Sequence, residues 1–203
     1  MLLYGASGHA KVIISCLEAN HISVEAIFDD DETKTSLWTI PVVGSYKPDY
    51  LSDNRLIISV GYNRIRKQIS HRIAHPFGQV IHPQAIVDRT AIVGAGSVIF
   101  HRAVVQADTR IGRHVILNTG ASVDHDCVLE DFVHVAPQAT LCGGICVGEG
   151  TLVGAGAVVL PNLTIGRWAT IAAGAVVTRS VPDFAVVRGN PGRVIKIEQV
   201  NEH

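Results

Sequence analysis

A small parallel α/β domain followed by a parallel β-helix of hexapeptide repeats is the fold this sequence predicts. Two observations carry the reading. From Met1 to about His75, short apolar strands alternate with glycine turns and helical stretches, the grammar of a parallel sheet. From Ile81 to Val177, an aliphatic residue recurs at every sixth position without a break of phase.

In the first region "LLY" reads as a strand, "GASGH" as a turn and "AKVIISCLEAN" as a helix. "VEAIF" is a second strand, ending in Asp29, Asp30 and Asp31. "RLIISVG" is another, and the segment after it carries Ile65, Ile69 and Ile73 at helical spacing. In the second region the series Ile81, Val87, Val93 and onward gives seventeen aliphatic positions. Four residues after each stands a small or apolar residue, from Ala85 to Val181. Neither an amphipathic helix nor an alternating strand holds a six-residue phase over such a length, and a hexapeptide β-helix does. The boundaries follow: residues 1–76, 77–182 for the β-helix, and a tail over 183–203.

Composition narrows the function classes. The chain is 47% hydrophobic and 17% charged with a net charge of −1, which describes a globular protein with a sizeable core. No long basic run favours nucleic acid or a membrane surface. The N-terminus lacks a charged leader region, and no apolar stretch of membrane-spanning length occurs. Cys16, Cys127, Cys142 and Cys146 make neither a disulfide framework nor a CxxC pair, so a reducing cytoplasm is expected.

One short stretch breaks the packing pattern. In "VDHDCVL", His125 and Asp126 follow the core position Val123, so His125 should face outward. Nine residues on stands His134. The remaining histidines of the repeat region and the tail, His82, His101, His114 and His203, read as solvated surface groups.

"GASGH", "FDD", "SVGYNRIRK", "HDCVLEDFVHVAP", "VLPNLTIG" and "GNPGR" together resemble the group of sugar acyltransferases that holds sialic-acid O-acetyltransferases and bacillosamine-pathway N-acetyltransferases. The likeness spans essentially the whole chain. It implies a left-handed β-helix in which three hexapeptides make one triangular coil, so residues 18 apart stack. It implies His125 as general base and Asp126 as the acid that raises its basicity. It implies His134, Gly143, Ala155 and Ala173 as acetyl-CoA contacts, and no metal. It implies Ser7, Gly8, His9, Asp29, Asp30 and Gly61 as contacts to a nucleotide-linked amino sugar.

The chemistry suits these residues. An amine or hydroxyl attacking a thioester must lose a proton, and an imidazole beside a carboxylate is fitted to take it. A backbone N–H left open by Gly143 suits the developing oxyanion. Cys127 stands in the inward register and Cys142 has no base of its own, which favours direct transfer. "GASGH" falls short of the full dinucleotide fingerprint. It is either a tight turn or a helix N-terminus that holds a phosphate. Half a coil separates His125 from His134, and no loop interrupts the repeat. A homotrimer with acetyl-CoA between neighbours is therefore expected. The tail, with Arg188, Arg193 and Lys196, either caps the last coil or meets coenzyme A phosphates. Both N-acetylation of a 4-amino-dideoxy sugar and O-acetylation of sialic acid remain open, as do a non-catalytic nucleotide-sugar binder and an NAD enzyme lacking its motif.

Overall fold

The structure, a computed structural model, describes residues 1–198. Three strands, β1 (Leu2–Tyr4), β2 (Ala26–Phe28) and β5 (Leu56–Ile58), form a parallel sheet in the order β2-β1-β5. All nine of their residues are buried. Fully buried strands of this kind read as continuous apolar runs, as "LLY", "AIF" and "LII" do. The short pair β3 (Ser36–Leu37) and β4 (Ile40–Pro41) forms a hairpin beside them. Helix α1 (Gly8–Ala19) follows β1, and helix α2 (Asn63–Ser70) follows β5.

α2 departs from the expected isoleucine stripe. It buries Arg66 and Ile69, while Ile65 is 45% exposed and Ile73 lies beyond the helix end. The apolar spacing was real, but the helix turns a guanidinium inward because carbonyls wait for it there.

Seventeen two-residue strands follow, from β6 (Val80–Ile81) to β22 (Val176–Val177). Each ends on one of the seventeen aliphatic positions, and the strands stack in parallel at 18-residue register, as in Val105 on Val123 and Leu117 on Val135. They close three flat faces around the aliphatic core of a left-handed β-helix. The first face carries the outward column Ile86, Val104, Ser122, Thr140, Val158 and Val176. The second carries Ile92, Arg110, Val128, Cys146 and Thr164. The third carries Val80, Val98, Ile116, His134, Leu152 and Thr170. From Gly96 to Gly174 every sixth residue takes a left-handed φ at a corner, whether glycine or not.

The N-terminal domain lies against the third face. Val80, Val98, Ile116 and Phe100 are buried with the apolar side of α1 in one cluster. Arg66 fastens the two parts together. Its Nε donates to the His114 carbonyl at 2.9 Å and its Nη2 to that of Phe132 at 2.9 Å, both on the solenoid. Nη1 donates to the carbonyls of Val60 and Gly61 in the N-terminal domain, at 3.1 and 3.2 Å.

One expectation is corrected. His114 and His82 are buried and not solvated. The His114 ring lies between Phe77 and Phe132, and His82 stacks on the half-buried His101 at 3.8 Å. His203 lies outside the described residues. Beyond Val177 the chain keeps to the prism at a changed register. Val181 pairs with Ile165 and Val186 with Thr170, a spacing of 16 in place of 18. β23 (Ala185–Arg188) thus extends the third face, and β24 (Arg193–Ile197) folds back antiparallel to it. No helix among the described residues is long and apolar enough to cross a membrane.

Candidate active site

His125 stands at the corner between the first and second faces, exposed together with Asp126. The local fold aims the pair. Asp124 Oδ1 accepts the His125 backbone N–H at 2.8 Å, and Asp126 sits in the left-handed corner position with φ 58°, which aspartate tolerates better than most residues. His125 Nδ1 and Asp126 Oδ2 are 2.7 Å apart. The Asp126 hydrogen bond, with Asp124 adding charge, raises the His125 pKa above the usual imidazole value. With Nδ1–H donating to the carboxylate, the Nε2 lone pair is left outward as a base.

Gly143 lies one coil above and is buried. A Cβ there would come within 2.6 Å of the His125 Cε1 and 2.7 Å of Nε2. The absent side chain is therefore what makes room for the imidazole. Its backbone N–H finds no acceptor among the described residues. Cys127 is a buried core residue whose Sγ donates to the Cys142 carbonyl at 3.2 Å, and burial raises its pKa. It is no nucleophile.

A cavity of ≈ 710 Å³ opens between the N-terminal domain and the upper part of the third face. Ser7, His9 and Gly61 line it from one side and His134, Leu152 and Thr170 from the other. Helices α1 and α2 both begin at its edge, through Ser7 and Tyr62. Their first-turn N–H groups suit an anion. Ser7 makes no side-chain cap, so its hydroxyl is not spent on the helix.

His9 and His134 face each other here with ring centroids 6.5 Å apart. Burial and the Arg66 charge push both down to about 4, so both are neutral at physiological pH. Asn118 Nδ2 donates to His134 Nε2 at 3.2 Å, and a hydrogen bond to the Gly61 backbone opposes part of the His134 shift. The His9 Nε2 is buried with no partner among the described residues.

The sequence-predicted residues thus fall into separate places. His125 and Gly143 share one corner. His134, Ser7, His9 and Gly61 share the cavity, one side of the triangle away. Ala155 and Ala173 are exposed and stacked 18 residues apart on the remaining corner, and their N–H groups find no acceptor among the described residues. Small side chains and open N–H donors in a column fit an extended, amide-bearing chain such as that of coenzyme A. Gly8 is exposed at the start of α1 with open space around it.

Asp29 and Asp30 behave differently from each other. Asp29 spends its oxygens within the fold, accepting from Ala6 N–H at 2.6 Å, Asp31 N–H at 2.9 Å and Lys34 Nζ at 2.9 Å. It shapes the β1–α1 loop. Asp30 is exposed, takes the Tyr4 hydroxyl at 2.7 Å, and borders a separate cleft with Ser45, Tyr46 and Arg72. In the tail, Arg188 and Arg193 are exposed, and Lys196 pairs with Glu198 at 3.0 Å. Glu198 itself borders the large cavity. Sequence reasoning missed Arg66, Asn63, Leu152 and Trp168, all at or beneath that cavity. No cluster of metal-ligating side chains occurs among the described residues.

Comparison with known proteins follows the same division. Residues 1–73 match the family described as the PglD N-terminal domain, and residues 144–179 match the bacterial transferase hexapeptide, six repeats. The chain is 35% identical to PerB from Caulobacter crescentus, solved in complex with CoA and GDP-perosamine, with a TM-score of 0.92 over 96% of both chains. It is 37% identical to the acetyltransferase domain of PglB from Neisseria gonorrhoeae, solved with acetyl coenzyme A, with a TM-score of 0.88 over 96% of this chain and 98% of that one. GDP-perosamine N-acetyltransferase from Escherichia coli O157:H7 is 34% identical over 148 residues, covering 68% of this chain and 66% of that protein. The match to serine acetyltransferase 2 of Arabidopsis thaliana covers 36% of that protein.

Proposed function

The chain belongs to the PglD/NeuD-like group of hexapeptide-repeat sugar N-acetyltransferases, and from that premise we propose that it moves the acetyl group of acetyl-CoA onto the amine of a nucleotide-linked 4-amino-dideoxy sugar. The observation that carries the reading is the His125–Asp126 pair, hydrogen-bonded at 2.7 Å on an open corner cleared by Gly143. In this reading residues 1–76 hold the nucleotide sugar and residues 77–182 carry out acetyl transfer.

His125 Nε2 takes a proton from the amine as the nitrogen attacks the thioester carbonyl. The new C–N bond replaces the C–S bond, and His125 returns the proton to the departing sulfur. Asp126 stabilises the imidazolium and fixes the tautomer in between. The free Gly143 N–H is the donor for the carbonyl oxygen as its charge grows. The diphosphate lies across the start of α1, at Ser7, Gly8 and His9. Gly61, beyond the end of β5, flanks it, and Asp30, beyond the end of β2, borders the neighbouring cleft on the nucleoside side, the strand ends where a parallel sheet usually holds its ligand.

One chain separates its base from its cavity by a whole side of the triangle, roughly 15–20 Å at about 3.3 Å per residue. A homotrimer of parallel prisms closes that gap by bringing one protomer's His125 corner to its neighbour's cavity. The free first and second faces support this. Their outward columns hold aliphatic and small polar residues with Arg110 as the single charge.

The test is an acetyl-transfer assay with GDP-, UDP- and dTDP-linked 4-amino sugars, and with sialic acid as a hydroxyl acceptor. Transfer to an amino sugar that drops by about 10²–10⁴-fold in kcat in His125→Ala is expected, with acetyl-CoA binding retained. Full turnover in that variant, or transfer to sialic acid alone, overturns the proposal.

A further inference from the structure

Trp168 is built into the cavity wall at a cost. It stands in a left-handed corner with φ 54°, a conformation that bulky residues rarely adopt. One coil below, Gly150 leaves the space its ring fills: a Cβ there would meet the indole carbons Cε3 and Cζ3 at 2.3 Å. From α2, the Arg64 guanidinium lies 4.8 Å from the ring centroid and the Lys67 ammonium 5.4 Å. The ring still borders the cavity, beside Leu152, Val60 and Ile65. The result is a patch of carbon at the solenoid end of the cavity.

The sheet says which part of a ligand meets this wall. With the diphosphate at the start of α1, the nucleoside runs toward the end of β2 and the group beyond the diphosphate toward the end of β5. The end of β5 leads through Val60 and Gly61 to the cavity. Resting on the acetyl-transfer reading above, we propose that Trp168 is a specificity-determining residue that receives the deoxygenated edge of the sugar. A hydroxymethyl group in that place would set an oxygen against the carbon of Trp168 and Leu152, and an apolar surface discriminates against an added hydroxyl by up to about 10²-fold.

The experiment compares nucleotide-linked 4-amino-4,6-dideoxyhexose with its 6-hydroxy counterpart on wild type, Trp168→Phe and Trp168→Gly. Glycine is compatible with this corner, since Gly96 and Gly150 hold its left-handed position in the coils below. Wild type is expected to prefer the dideoxy sugar by about 10- to 100-fold in kcat/KM. Trp168→Gly is expected to lose most of that preference, with Trp168→Phe in between. The KM for acetyl-CoA and inhibition by the free nucleoside diphosphate should not move. An unchanged preference in a folded Trp168→Gly overturns the proposal. So does a rise confined to the acetyl-CoA KM, which would place the ring on the coenzyme, or a loss confined to nucleoside diphosphate inhibition, which would place it on the base. Should Trp168→Gly fail to fold, a preference unchanged in Trp168→Phe and in Leu152→Ala overturns it. Absence of acetyl transfer by wild type to either sugar would instead defeat the underlying activity.

Discussion

At the scale of single residues, Asp126 performs two tasks that can be separated. It holds the imidazole, and it occupies a left-handed corner. Asparagine keeps the corner, because its short polar side chain tolerates that conformation, but loses the charge. His125 is raised by Asp126 first and Asp124 second, so the proposed base is lost as pH falls through a value above the ordinary 6.5. The kcat/KM profile should therefore rise with pH on a limb above that of free imidazole. In Asp126→Asn that limb should move to lower pH while kcat falls by less than in His125→Ala. A pH–rate series on the two variants checks both statements. Gly143→Ala is a second probe. Its Cβ would overlap the ring within 2.7 Å, so the imidazole must rotate off Asp126. We expect a kcat loss of at least about tenfold with the melting temperature near wild type, measured by steady-state kinetics and thermal unfolding.

At the scale of elements, the start of α1 offers an unusually clean substitution. Gly8 has open space around it and no strained φ. Aspartate there stabilises the helix through its dipole yet repels a diphosphate. Gly8→Asp should raise the KM for the nucleotide sugar by about fivefold or more at unchanged acetyl-CoA KM, since one like charge costs on the order of 1 kcal/mol at these distances. The docking of the N-terminal domain has its own pH signature. His9, His114 and His134 are each pushed down to about 4, chiefly by burial. Their folded pKa values lie below the unfolded one, so the unfolded chain binds protons first as pH falls. Stability is full above about 6.5 and declines between there and about 4. Melting temperatures measured from pH 7.5 down to 4.5 should fall across that window. Substituting His114 by a neutral aromatic residue should shrink the fall.

At the scale of the whole molecule, a trimer that shares its sites between neighbours makes a prediction no monomer makes. His125→Ala lacks the proposed base and Gly8→Asp has a damaged cavity. Mixed in equal amounts through unfolding and reassembly and assayed well below the wild-type KM for the nucleotide sugar, they should gain about a quarter of wild-type activity over the unmixed variants, because one site in four joins an intact corner to an intact cavity. No recovery in mixed trimers of confirmed composition would place base and cavity in the same chain. The same scale explains what the sequence disclosed. Seventeen aliphatic residues at one phase announced the prism, because each rung repeats the same packing problem. His125 was legible as an outward break in that pattern. The cavity was not, since it arises where remote segments meet. His134, Leu152 and Thr170 stand on one column only after the chain has coiled, and Arg66 looked like one more solvated charge between Ile65 and Ile69. Trp168 had a faint signal, a large ring 18 residues above the glycine at 150. His114 and His82 gave none, because the aromatic partners that bury them lie a full coil or a domain away.

The stacking of residues 18 apart also makes the solenoid a ruler. Each coil lifts the chain by about 4.8 Å, the spacing between hydrogen-bonded strands. The height of Ala173 above His125, and of Thr170 above His134, is therefore fixed by counting coils and not by the shape of any loop. Distances along the prism come in whole steps. One coil added between the dyad and Ala173 would keep every rung paired and the core filled, yet shift two parts of the proposed site past each other by a full graduation. The scale that makes this fold tolerant of length also leaves its chemistry intolerant of it.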